Sequence, residues 1–110
     1  MSEVRTDPTT DPILRRFRDA VAALYGDRLE RIVLFGSRAR GDAREDSDYD
    51  VAVFLRGLDD WWPEMQRLNR IGGEILWDTG AVISPKPFES AEYSDRTPLM
   101  GEIRREGVAL

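Results

Sequence analysis

The hydrophobic and polar positions change their spacing along the chain, and the first regular stretch has the period of a helix. Its apolar residues lie three or four positions apart, or adjacent, and they are Ile13, Leu14, Phe17, Val21 and Leu24. Asp11 can cap such a helix, Pro12 suits its first turn, and Gly26 is a favourable end. The pattern predicts a first helix between Asp11 and Gly26 that buries one face.

Two short apolar runs come next, and both are typical of strands. The run "RIVLF" at 31–35 ends at Gly36, and the run "YDVAVFL" covers 49–55. Each is short, apolar and rich in β-branched or aromatic residues, which favours a buried strand over a helix. The segment between the two runs is dense in charge.

The next stretch predicts a second helix followed by a third strand. Apolar residues recur at helical spacing after Asp59 and Asp60, and either aspartate can cap the helix. The segment "TGAVISPKPF" at 79–88 then predicts a turn and a strand. Pro85 and Pro87 have no N–H to donate, so this strand is expected at an edge or soon stops pairing.

The last regular segment begins at Thr97, which can cap a helix through about Glu106. The predicted order is helix, strand, strand, helix, strand, helix, which indicates an α/β or α+β domain with a small sheet. A chain of 110 residues has room for one hydrophobic core. We therefore expect a flexible N-terminal tail at 1–10 and one domain at 11–110.

The composition excludes several kinds of site. The formal net charge is −5, which argues against a general nucleic-acid-binding surface, because such surfaces need basic residues. Cys and His are absent, so disulfides, thiolate or imidazole metal sites and Ser-His-Asp catalysis are excluded. No signal-peptide-like stretch and no membrane-spanning apolar run is visible, so we expect a cytoplasmic protein without a membrane partner.

Candidate chemistry lies in the charged segment between the first two strands. Gly36 allows a sharp turn that can bring backbone N–H groups to a phosphate, with Ser37 beside it. Asp48 and Asp50 lie two apart at a strand start, so both carboxylates are expected on one sheet face. Such a pair suits Mg²⁺, which prefers oxygen ligands and binds together with nucleotide phosphates. The alternative is that the aspartates only cap or solvate the loop.

The combination of these features is more specific than its parts. A Gly-Ser pair, ten intervening residues and Asp-x-Asp lie between two apolar runs, in the stretch "GSRARGDAREDSDYDVAV". This stretch resembles the nucleotidyltransferase superfamily typified by DNA polymerase β, most closely its minimal single-domain members. The resemblance covers roughly residues 28–56, and it implies a polymerase β-like fold with a small mixed β-sheet flanked by helices.

The resemblance also implies roles for the residues of the motif. Gly36 and Ser37 would hold the triphosphate of ATP, and Asp48 and Asp50 would bind Mg²⁺ for attack of an acceptor hydroxyl on the α-phosphate.

Two arginines of the loop belong to the same motif. Arg38 and Arg40 would neutralise phosphate charge, or else they are solvated surface residues.

The resemblance further implies a biological setting. Minimal members of the superfamily resemble antitoxins that pair with a HEPN-domain ribonuclease toxin, and some transfer AMP to a tyrosine of that toxin. The implied function is Mg²⁺-dependent adenylyl transfer from ATP to a partner protein. Trp61 and Trp62 are candidates for a partner-docking surface, or else they are ordinary packing residues.

One element of the family pattern is missing. A third carboxylate often lies on the strand after the second helix, but "AVISPKPF" contains no acid, and Asp78 is more typical of a turn. The protein could therefore turn over slowly, use a base from its partner, or be an inactive antitoxin that neutralises by binding alone. A small-molecule transferase of the aminoglycoside type is a further hypothesis, which would require a homodimer to enclose the acceptor.

Overall fold

The computed structural model describes residues 7–110, and the described chain forms one mixed sheet flanked by helices. The helices are α1 (Pro12–Tyr25), α2 (Ser37–Arg40), α3 (Trp61–Thr79) and α4 (Pro98–Glu106). The strands are β1 (Leu29–Phe35), β2 (Tyr49–Leu55), β3 (Ile83–Glu89) and β4 (Val108–Ala109). The fold class predicted from the sequence is confirmed.

The three predicted helices begin at the predicted caps. The Asp11 side chain accepts from the N–H of Ile13 at 2.8 Å, and Thr97 accepts from the N–H of Met100 at 3.2 Å. At the start of α3 the capping residue is Asp60, the second of the two predicted candidates. No helix within residues 7–110 combines the length and the apolar character needed to cross a bilayer.

The sheet has the strand order β3-β2-β1-β4. β1 is antiparallel to both β2 and β4, whereas β2 and β3 run parallel. β3 is an edge strand, as Pro85 and Pro87 predict. The register places Asp50 of β2 opposite Phe35 on one side and opposite Ser84 on the other.

The two faces of the sheet are covered unequally. One face packs against the long helices α1 and α3 and buries residues such as Phe17, Leu34 and Leu68. The other face holds a smaller cluster that includes Phe54 and the α4 residue Ile103. Because side chains alternate along a strand, Asp50 lies on this second, less covered face with Phe54.

Several short elements were not predicted, among them α2, β4 and the 3₁₀ turns Gly26–Arg28 and Ser90–Ser94. α2 is a single helical turn directly after Gly36, and β4 pairs Val108 and Ala109 with Leu34 and Val33 of β1. The predicted tail at 1–10 lies partly outside the described residues. Asp7 to Thr10 form a turn before α1, in which the backbone N–H groups of Thr10 and Asp11 donate to the carbonyl of Asp7.

Candidate active site

The Gly-Ser pair forms the turn between β1 and α2. Gly36 has φ 76° and ψ −157°, a backbone conformation that L-residues with a side chain rarely adopt. Its carbonyl accepts from the N–H groups of Ala39 and Arg40, both at 3.1 Å, and this holds Ser37 at the start of α2. The sequence therefore produces a sharp strand-to-helix turn here, as the pair predicted.

Gly36 lies directly against the carboxylate of Asp50. A Cβ atom at Gly36 would overlap Oδ2 of Asp50 and lie 3.3 Å from its Cγ. A residue with a Cβ atom at this position would force the Asp50 carboxylate to move. The two halves of the sequence motif, fourteen positions apart, thus meet through backbone-to-side-chain contact.

The two aspartates differ in exposure although they lie together. Asp50 is partly buried within β2, whereas Asp48 is exposed and lies just before the strand begins at Tyr49. Burial raises the pKa of the Asp50 carboxyl above its usual value, and the negative charge of Asp48 raises it further. A bound cation would relieve this repulsion, so the oxygen donors and their charge fit Mg²⁺.

Three charged groups from other elements also act on Asp50. Glu102 of α4 raises the pKa of Asp50, and Lys86 of β3 and Arg40 of α2 lower it. Glu102 was not predictable from the sequence, because only the packing of α4 over this face brings it near. Within residues 7–110, no three or more acidic side chains are grouped so that they could hold a metal ion together.

β3 carries no acidic residue on the face that holds Asp50, so the third carboxylate of the family pattern is missing from this strand. On the Asp50 face it presents Ser84, which pairs with Asp50, and Lys86, which pairs with Ala52. Asp78 lies elsewhere, since its carboxylate accepts from Arg16 of α1 at 2.6 Å on the opposite side of the sheet. Asp78 therefore does not supply the missing carboxylate.

The guanidinium group of Arg38 binds the loop that follows it. Its Nε donates to the Ser47 carbonyl at 2.8 Å, and its Nη2 donates to the Glu45 carbonyl at 2.9 Å. It also lies over the ring of Tyr49, 4.0 Å from the centroid. Arg38 thereby fixes the loop that leads into Asp48.

Arg40 is exposed and pairs with acids of two elements. Its Nε lies 3.3 Å from Asp42, and its Nη1 lies 3.8 Å from Glu106 of α4. Phosphate binding by Arg38 or Arg40 stays a prediction, and in this structure both guanidinium groups already have protein partners.

One cavity near the motif lies behind it, on the α1 face of the sheet. It has a volume of about 430 Å³, and Asp11, Leu14, Leu34, Arg38 and Tyr49 are among its lining residues. Neither Asp48 nor Asp50 lines it. The carboxylate pair instead lies at the start of β2 on the less covered face of the sheet, where Asp48 is exposed and Asp50 is partly buried.

Residues 14–93 match the family model described as the nucleotidyltransferase domain. The chain belongs to this family. The match spans both halves of the Gly-Ser and Asp-x-Asp motif, and it confirms the resemblance that the sequence indicated.

Individual relatives agree with this family and fold. A candidate protein adenylyltransferase of Methanocaldococcus jannaschii is 29% identical over 96 residues, which cover 87% of this chain and 93% of the relative. A solved minimal nucleotidyltransferase has a TM-score of 0.59 at 25% identity, with 97% of this chain and 99% of that chain covered. A toxin–antitoxin structure with AMP-PNP has the same TM-score at 19% identity, covers 84% of this chain and 68% of that one, and shares the fold.

Membership in the nucleotidyltransferase family leaves the roles of individual residues to experiment. The structure brings Gly36, Ser37, Asp48 and Asp50 together where β1 ends and β2 begins, as predicted. Their assignment to triphosphate and Mg²⁺ stays a prediction.

Proposed function

We propose that this nucleotidyltransferase requires Mg²⁺ and transfers AMP from ATP to a hydroxyl group of a partner protein. The observation that carries the proposal is the contact between the Gly36 turn and the Asp50 carboxylate, with Asp48 beside it. This arrangement sets a turn that can bind phosphate against a pair of carboxylates that can bind a metal ion, which are the two parts that phosphoryl-type transfer needs.

The roles of the residues follow from their placement. Asp48 and Asp50 would hold the cation, and the N–H groups at the start of α2 together with Ser37 would orient the triphosphate. When bound, Mg²⁺ would offset the phosphate charge and stabilise the charge that develops on the reacting oxygens. The acceptor oxygen would bond to the α-phosphorus, the bond from that phosphorus to the bridging oxygen would break, pyrophosphate would leave, and the hydroxyl proton would pass to water.

A protein acceptor is supported by three observations. The M. jannaschii relative is named for adenylyl transfer to proteins. The face of the sheet that holds Asp50 is covered only in part, and Asp48 is exposed. The described chain also exposes aromatic side chains along α3, on the opposite side of the sheet, which suit docking of a protein away from the carboxylates: Trp61 is 49% exposed, Trp62 is 59% exposed and Trp77 is 90% exposed.

The partner that we propose is a HEPN-domain toxin, which makes this chain the antitoxin of a toxin–antitoxin pair. A structural neighbour is a toxin–antitoxin assembly crystallised with AMP-PNP, which supports this setting. A net charge of −5 is compatible with docking to a basic, RNA-binding partner.

A second candidate function is neutralisation of the toxin by binding alone. It is favoured by one observation, the absence within residues 7–110 of a third acid that could join Asp48 and Asp50 in holding a metal. Loss of a general base typically costs about 10²- to 10⁴-fold in rate. An antitoxin with so slow a reaction would act by binding.

The deciding experiment incubates the purified chain with its cognate toxin, Mg²⁺ and ATP labelled at the α-phosphate. We expect label on the toxin, and we expect Asp48→Asn and Asp50→Asn each to abolish it, because each removes a carboxylate charge from the metal site. Asp46→Asn is the matched control, since Asp46 is an exposed aspartate of the same loop. Equal labelling by the wild type and by both site variants would refute the proposed function.

A further inference from the structure

Lys86 is the only lysine of the chain, and it lies on the same sheet face as Asp50. The parallel register pairs Asp50 with Ser84 and Ala52 with Lys86. Neighbours in such a register project to the same side, so the Lys86 ammonium emerges beside the carboxylate pair.

The charge of Lys86 is available to a ligand. Its side chain is exposed, and it forms no hydrogen bond or ion pair with any other residue in the part of the chain that the structure describes. The two loop arginines with an implied phosphate role are already engaged, Arg38 by carbonyl groups of its loop and Arg40 by Asp42 and Glu106. Lys86 is therefore a cation on the Asp50 face that can turn to a phosphate.

The same charge disfavours a second divalent ion. Two such ions would have to share Asp48 and Asp50 with the nucleotide phosphates, because no third acid is grouped with these carboxylates within residues 7–110. The ammonium of Lys86 adds like-charge repulsion. Glu102 of α4 is negatively charged and would favour a cation. The positive charge of Arg40 of α2 lies within range of Glu102 and offsets it.

We propose that Lys86 binds the phosphates of the nucleotide and takes the place of a second metal ion, so that the site holds one divalent cation with ATP. This inference rests on the proposed function, because it assumes that ATP binds at the Asp48–Asp50 edge. A lysine ammonium is a compact cation with three donors, which suits this contact with phosphate oxygens.

The test measures binding rather than turnover. The full chain is titrated with the α,β-methylene analogue of ATP in the presence of Mn²⁺. Calorimetry gives the affinity for the nucleotide, and electron paramagnetic resonance counts the bound Mn²⁺. Lys86→Met and Lys86→Arg are compared with Arg70→Met, which removes one exposed cation from α3. Thermal unfolding of each variant checks that it folds.

We expect one Mn²⁺ per bound nucleotide in the wild type. Lys86→Met should weaken nucleotide binding about tenfold or more, because a charged hydrogen bond to phosphate is lost. Lys86→Arg should retain most of the affinity, and Arg70→Met should bind like the wild type. Two Mn²⁺ in the wild-type complex, or unchanged affinity in Lys86→Met, would overturn the inference.

Asp48→Asn and Asp50→Asn separate this inference from the proposed function. If these variants lose nucleotide binding while Lys86→Met keeps it, only the role of Lys86 is wrong. If they bind nucleotide as well as the wild type does, or if the wild type binds none, the proposed function and the inference are both wrong.

Discussion

At the scale of single residues, the close contact between Gly36 and Asp50 requires a glycine at position 36. Glycine is needed here for two separate reasons, a positive φ of 76° and the lack of space for a Cβ beside Oδ2 of Asp50. Gly57 shares only the first reason, since its φ is 73° and a Cβ there would meet no atom within 4 Å. Substitutions at Gly36 and Gly57 can therefore be compared to separate the effect of backbone strain from the effect of displacing the Asp50 carboxylate.

We predict that Gly36→Ala and Gly57→Ala both lower the free energy of unfolding by about 1 kcal/mol or more, the usual cost of forcing a side chain into this conformation. Only Gly36→Ala should weaken binding of Mg²⁺ with ATP, because Asp50 must move to admit the methyl group. Chemical denaturation and calorimetric titration measure the two effects. Equal nucleotide affinity in both variants would show that the position of Asp50 does not matter for binding.

At the scale of elements, α1, the loop 41–48 and the start of β2 are joined through side chains. The Tyr49 hydroxyl donates to Asp11, the capping residue of α1, at 2.8 Å, and burial together with this contact raises the pKa of Tyr49 to about 12. Arg38 lies over a face of the Tyr49 ring and binds two loop carbonyls. The loop that carries Asp48 is thus held through contacts to the hydroxyl and to the ring of one tyrosine.

We predict that Arg38→Lys destabilises the protein by about 1–2 kcal/mol, because an ammonium cannot reproduce the paired hydrogen bonds and the stacking of a guanidinium. Amide hydrogen exchange should quicken in the loop 41–48. Arg44→Lys, in an exposed position of the same loop, is the control and should match the wild type. Reduced ATP affinity in Arg38→Lys without any change in stability would instead assign Arg38 to the phosphates.

At the scale of the whole molecule, the unequal covering of the sheet decides what can reach the site. The long helices α1 and α3 cover one face, whereas α4 and the helical turn Ser90–Ser94 cover the Asp50 face only in part. The described chain provides no second lobe over the carboxylates. An acceptor protein would therefore have to supply the remaining wall itself, which favours a docked partner over a small molecule.

We predict that cells expressing the cognate toxin are protected by the wild-type chain and lose protection when Asp48 and Asp50 are both changed to Asn. Loss is expected because the double variant should still fold and dock but cannot modify the toxin. Co-purification of the variant with the toxin provides the control for docking. Full protection by the double variant would favour neutralisation by binding alone.

Much of the fold was predictable because its signals are local. Asp11 and Thr97 cap helices through contacts with residues two or three positions away, and Pro85 and Pro87 keep β3 at the edge by lacking a donor group. The motif was recognisable for a similar reason, since its Gly-Ser turn and its aspartates are separated by a loop of defined length. By itself, therefore, the sequence determined the three long helices, the three longer strands, the family and the strand ends where chemistry is expected.

The tertiary structure alone decided which charges meet at that edge. Lys86 and Glu102 lie far along the chain from Asp50, and they reach it only through the parallel register of β3 and the packing of α4. The use of Arg38 to hold its own loop, and the pairing of β4 with β1, also depend on contacts between separate elements. Local patterns cannot determine such distances, because register and packing are set by the burial of whole faces rather than by neighbours in sequence.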